Sequence, residues 1–302
     1  MQIDQISRVR NFGRSVAVEV GALEESFLNR GRPLGAARVL NAIGLGYQNV
    51  SDLRALLKLD TGQLSRLLRS LEAEGLIETT PNEDDRRSRQ TRLTKAGEEE
   101  FTIYEKLSNE RAAAILERHK NAERLLDAMD IVTIALSREN IVFEEVDYAS
   151  EIATKCLTAF AAELSARLGV EFDLKKSGDP ELSQMKHPNG TFVVARLGDM
   201  PIGCVGVKGR GDTLAEIKRM WIAPAARGLG LAHRLMTTAE EAARALGIET
   251  LRLDTNSTLV EAVGLYRKMG WSRIERFNDD PYPDLFFEKC LRSDAEDFAR
   301  GE

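Results

Sequence analysis

Apolar residues recur along this chain in two rhythms. Through about the first 140 positions they fall three and four apart, the period of an α-helix. In "YQNVSDLRALLKLDTGQLSRLLRSLEAEGLIETT", Val50, Leu53, Leu56 and Leu57 make one stripe, and Leu64, Leu67, Leu68 and Leu71 make a second. Lys58 and Leu59 leave room between them only for a tight turn. Asp60, followed three residues on by Gln63, is a capping-box pattern that starts the second helix, and Gly75 predicts its end. The segments "VRNFGRSVAVEVGALEESFL" and "AERLLDAMDIVTIALS" are further helices rich in apolar residues. From "SRENIVFEEVDYAS" the rhythm changes, as Ile141, Phe143 and Val146 open a pattern of strands alternating with helices. The change predicts two domains, 1–140 and 141–302, with no Pro/Gly linker between them.

Composition narrows the function classes. At 302 residues, 43% apolar and 30% charged, the chain is long enough for two ordinary cores. Cys156, Cys204 and Cys290 are odd in number and far apart, which fits packed thiols in a reducing cytoplasm and argues against a disulfide framework. His119, His187 and His233 share no ligand spacing, so no metal site is expected. No run approaches the length of a membrane span, and the start lacks a signal-peptide core; a cytoplasmic protein without membrane partners is expected. The net charge of −6 is unevenly spread: residues 1–140 carry 21 basic against 22 acidic side chains, the remainder 21 against 26.

The basic residues of the first half cluster where chemistry needs them. Thr61, Gln63, Ser65, Arg66 and Arg69 fall away from the leucine stripe of the second helix, the face able to enter a major groove. Two β-like runs, "LIETT" and "QTRL", flank "PNEDDRRSR", which puts Arg86, Arg87 and Arg89 at a hairpin tip suited to phosphates or a minor groove. A charge run alone is usually a solvated face, here with pairing to Glu83, Asp84 and Asp85; the helix-turn-helix frame favours a nucleic-acid contact. "LSRLLRSLEAEGLI" followed by "DRRSRQTRLTKAG" resembles the MarR family of winged helix-turn-helix regulators, with Asp85, Arg86, Arg87, Leu93, Thr94 and Gly97 on its wing signature and Thr91 where an apolar residue is usual. The resemblance covers residues 5–137. It implies a mainly α winged-helix domain that binds double-stranded DNA as a homodimer through interlocking terminal helices, with recognition helices about 34 Å apart.

In the second half, "WIAPAARGLGLAHRLM" runs from an apolar strand through Arg227, Gly228, Leu229 and Gly230 into a helix beginning near Leu231. Glycines let backbone approach a ligand closely, and the helix start aims unpaired N–H groups and a positive dipole end at the same place: a pyrophosphate cradle. The loop has no Lys, so it is not a Walker A loop, and it does not satisfy G-x-G-x-x-G. Arg227, Gly230 and Ala232 instead fit the acetyl-CoA loop of the GNAT N-acetyltransferases, and "AEIKRMWIAP" before it and "LRLDTN" and "EAVGLYRKMGW" after it repeat that family's order. The resemblance spans about 141–291. It implies an α/β fold with a mixed, mostly antiparallel central sheet; acetyl-CoA as cosubstrate, held around Met220, Trp221, Ile222 and Arg227 to Ala232; Tyr266 as general acid to the thiolate; and Asn256 as a displaced stand-in for the family's usual asparagine, whose place Leu259 takes. Glu216, on the strand leading to the loop, is the carboxylate chosen as base, acting through water. The polar tail loop with Asn278, Asp279, Asp280, Tyr282 and Asp284 resembles a substrate-side loop, suited to a cationic amine or, with Arg219, to one carrying a carboxylate.

Together these predict a DNA-binding regulator joined to an N-acetyltransferase for a small amine such as an amino acid. The competing readings are a regulator whose second half only senses acyl-CoA, an enzyme whose first half only dimerises, and a protein-lysine acetyltransferase.

Overall fold

The computed structural model describes residues 3–81, 89–174, 182–211 and 213–291. It divides into two compact units, Met1–Ala122 and Glu123–Glu302. The first is helical: α1 (Ile3–Glu19), α2 (Leu34–Gly44), α3 (Val50–Leu57), α4 (Thr61–Ala73), the strands β1 (Ile77–Pro81) and β2 (Arg89–Leu93), then α5 (Lys95–Glu117). Leu53 and Leu57 of α3 and Leu64, Leu68 and Leu71 of α4 pack with α2 in one core. Leu56 departs from its predicted stripe and is exposed.

The turn works as its residues dictate. Lys58 takes a left-handed φ of 52°, Gln63 N–H donates to Asp60 Oδ1 at 2.8 Å, and Asp60 N–H donates back to Gln63 Oε1 at 3.4 Å, closing the capping box. Thr91, the unusual residue of the wing, is fully buried; its N–H and hydroxyl both donate to the Gln48 carbonyl, at 2.7 and 3.1 Å, so a hydroxyl has a partner there that an apolar group would lack. Thr94 caps α5 through Gly97 N–H at 3.1 Å and donates to the Gly75 carbonyl at 2.6 Å. A Cβ on Gly97 would lie 2.0 Å from the Leu76 carbonyl oxygen, which explains the glycine. Arg30 and Arg32 then tie α5 to the chain ahead of α2, both reaching the buried Glu100, with Arg32 also 2.5 Å from Glu74.

The second unit begins with α6 (Ala122–Leu136), whose Ile134 is fully buried in that unit's core. It continues with β3 (Val142–Glu145), α7 (Glu151–Leu168), β4 (Thr191–Leu197), β5 (Met200–Gly209), β6 (Leu214–Ile222), α8 (Leu231–Ala245), β7 (Thr250–Thr255), α9 (Val260–Lys268), β8 (Ser272–Ile274) and β9 (Leu285–Cys290). Seven strands form one sheet in the order β3-β4-β5-β6-β7-β9-β8; every pairing is antiparallel except β6 with β7. One face packs on α8 and α9 through Ile217, Leu251, Leu253, Leu235 and Tyr266. The other carries α7, with Ala153 and Cys156 against Val194 and Cys204. Cys156 and Cys204 are the packed thiols expected; Cys290 is exposed.

Candidate functional site

The parallel pairing of β6 and β7 is short. It holds Leu214 to Thr250 through Ile217 to Leu253, four residue pairs, and stops. Beyond it β6 remains paired only to β5, where the register shifts between Cys204 and Gly206 and Arg219 turns to a φ of 57°. A left-handed residue inside a strand redirects the residues C-terminal to it, and here those are Met220, Trp221 and Ile222. The two strands splay apart and a cleft of about 730 Å³ opens between them.

Met220, Trp221, Ile222, Arg227, Gly228, Gly230, Leu231, Ala232 and Asn256 all line this cleft, as does Tyr266. Leu229 instead packs against the apolar core. Gly228 and Gly230 have φ of 75° and 76°, a conformation that L side chains rarely adopt, and Gly230 is the N-cap of α8. A Cβ on Gly228 would meet nothing within 4 Å, and on Gly230 only the Arg138 guanidinium at 3.6 Å. The loop therefore presents open backbone to the cleft, at a helix start where N–H groups lack partners. Arg138 is a cation beside this loop that its distant position in the chain could not disclose. Arg234 stacks on the Phe143 ring, 4.6 Å from its centre.

Arg227 is engaged. Its guanidinium donates to both carboxylate oxygens of Glu163 on α7, at 2.5 Å each, and to the Ile222 carbonyl. Glu163 also accepts from Trp221 Nε1 at 3.0 Å and pairs with Arg167 at 2.9 Å. Nothing local in the sequence marked Glu163, because its partners are brought to it by the packing of α7 on the sheet. Asn256 is likewise occupied, donating to the Tyr282 carbonyl at 2.8 Å and accepting from Thr258.

Tyr266 is buried at the cleft between the rings of Trp271 and Phe287. Burial, with the negative charge of Asp254 adding to it, pushes the phenol well above its usual value, so it keeps its proton. Glu216 is placed differently from the sequence expectation. It is buried, does not line the cleft, and spends both oxygens on Arg210, at 2.6 and 3.1 Å, with Lys218 3.4 Å away. Of the tail loop, Asp280, Tyr282 and Pro283 reach the cleft, where the Tyr282 and Phe172 rings lie 4.7 Å apart. Arg219 also lines it and donates to the Leu174 carbonyl at 3.0 Å. Among the described residues no group of three His, Cys, Asp or Glu could hold a metal ion.

In the first unit, Thr61, Gln63, Ser65, Arg66 and Arg69 share the exposed face of α4. Arg89 is exposed at the start of β2, while Arg86 and Arg87 lie outside the described residues.

A sheet splayed at its one parallel pairing, a glycine-turned helix start at the mouth and a buried phenol define an N-acetyltransferase type of domain. A model of the acetyltransferase (GNAT) family matches residues 153–271, and one of the MarR family matches residues 30–88. An IAA acetyltransferase of Azospirillum brasilense is 34% identical over 135 residues, 43% of this chain and 86% of its own length. An uncharacterised N-acetyltransferase of Escherichia coli is 30% identical over 121 residues, 37% of this chain and 72% of its own. A GNAT-family acetyltransferase structure from Staphylococcus aureus covers 50% of this chain and 99% of its own at 18% identity, with a TM-score of 0.44. The chain belongs to the GNAT acetyltransferase family and carries a MarR-family domain ahead of its acetyltransferase half.

Proposed function

We propose that this protein is a DNA-binding transcriptional regulator that also transfers an acetyl group from acetyl-CoA to the amine of a small molecule, such as an amino acid or a related metabolite. The observation that carries the reading is the splay of β6 from β7 over Tyr266, because it joins a freed strand edge, a helix start opened by glycines and a held proton in one cleft. The residues present fit the cosubstrate. The backbone of Gly228 to Ala232, with Arg138 and Arg227, suits its phosphates, and Met220 to Ile222 suit its arm. Bound acetyl-CoA supplies an activated thioester. Backbone N–H groups on the edge of β6 that β7 leaves unpaired suit the charge that develops on a carbonyl oxygen. Tyr266 Oη holds a proton that a departing thiolate can take.

For the first domain, the exposed polar face of α4 beside a basic hairpin supports insertion into a major groove. A homodimer is supported by Val9, Phe12 and Val16, which stand exposed on α1, and, in the second unit, by Leu126, Met129 and Ile131, exposed on α6. The test is a thiol-release assay on the full chain with acetyl-CoA and a panel of small amines and amino acids, run beside Tyr266→Phe. Turnover of one amine that the variant loses is the expected result. Acetyl-CoA binding without turnover of any amine would turn the reading into that of an acyl-CoA sensor.

A further inference from the structure

Where β6 and β7 part, charged side chains gather in the cleft's sheet wall. Lys218 Nζ on β6 lies 2.6 Å from Asp254 Oδ2 on β7, and Asn278 Nδ2, from the segment before β9, donates to that same oxygen at 2.5 Å. Both donors end on Oδ2. Oδ1 accepts no hydrogen bond among the described residues, although the side chain is only 10% exposed and lines the cleft. The charge of Asp254 reaches Tyr266, so the carboxylate stands near the group that keeps the proton.

Oδ1 is not among the fully buried atoms, so its lone pairs are open to whatever enters the cleft. An ammonium group entering the cleft supplies the missing donor, and with it a charge-assisted hydrogen bond. Lys218 and Asn278 fix Oδ2 and thereby the direction of Oδ1. Glu216, held by Arg210, has no such free oxygen and does not line the cleft.

We propose that Asp254 is the catalytic base of the acetyl transfer: its Oδ1 receives the acceptor as a primary ammonium, the form of an aliphatic amine at neutral pH, and takes one proton from it. The N–H bond breaks, its electron pair stays on nitrogen as the lone pair of the nucleophile, and an O–H bond forms at Oδ1. The proton returns to solvent through the cleft mouth after product leaves. Asn278 is a positioning residue, acting through Oδ2. This role rests on the reading of the cleft as an amine acetyltransferase site.

The experiment uses the full chain and the amine that the wild type acetylates, with Asp254→Asn and Asn278→Ala. Asp254→Asn should keep acetyl-CoA affinity within about twofold while losing about a hundredfold or more in kcat/KM at pH 7. Its kcat/KM should then climb about tenfold per pH unit toward the wild type, because the amine deprotonates in solution instead. Without acetyl-CoA, calorimetric affinity for the amine should fall about tenfold or more. Asn278→Ala should show a smaller loss with the same pH relief, and it carries the test alone should Asp254→Asn not fold. Asp254→Asn within about threefold of the wild type at pH 7, or a loss that rising pH does not relieve, overturns the role of Asp254 alone. A wild type that acetylates neither free amines nor a lysine-rich peptide overturns the acetylation reading together with it.

Discussion

Tyr266 keeps its proton because the charged form has nowhere to be solvated. Removing the hydroxyl leaves the ring packing against Trp271 and Phe287 intact. Tyr266→Phe is therefore expected to lower kcat about tenfold or more while acetyl-CoA affinity, measured by calorimetry, stays unchanged. Since the phenol is raised, its deprotonation should not shape the alkaline side of the wild-type profile near neutrality. Glu100 shows the opposite sign. Arg30 first, and then Arg32, hold this buried carboxylate below its ordinary value. A depressed pKa contributes stability that is present above the unfolded value, about 4.3, and lost as pH falls through the lower folded one. Glu100→Gln should cost about 3–5 kcal/mol in urea unfolding at pH 7, because it leaves two arginines without their shared partner. The deficit should narrow as pH is lowered past that range.

Among elements, α4 separates its two tasks by face. Leu64, Leu68 and Leu71 are in the core, so Leu68→Ala is expected to cost about 2–5 kcal/mol with little effect on groove chemistry beyond lost folded protein. Arg69 is exposed on the opposite face, so Arg69→Ala should leave the unfolding midpoint nearly unchanged and weaken DNA binding, lowering the salt slope by about one if it meets a phosphate. Fluorescence anisotropy across a salt series reads that slope. This division was legible from sequence because leucine spacing, a cap pair and a stop glycine are local signals. The glycine loop and Tyr266 were legible for the same reason. Glu163, Arg138, Lys218 and Asp254 were not, since each acquires its partners through strand order and helix packing. Glu216 misled because strand position is readable along a chain, whereas the partner waiting on Arg210 is not. Leu56 misled more simply, its period being right and its neighbours absent.

For the whole molecule, the exposed apolar residues of α1 bear on association. Val9→Asp with Phe12→Asp is expected to convert a dimeric mass in light scattering into a monomeric one, and to weaken DNA binding because two half-sites are no longer held together. A two-half design also means that loss of either activity need not destroy the other, provided each core folds. The splay between β6 and β7 has another consequence. Past Ile217 and Leu253 the sheet is two part-sheets sutured along four residue pairs, each with a bare strand edge facing the other. Bare edges are what neighbouring chains add to when proteins aggregate, and natural folds usually shield them. Here the shield would be a small molecule. Met220 to Ile222 would hold it along the open edge of β6, so turbidity on mild heating should appear later when acetyl-CoA is present.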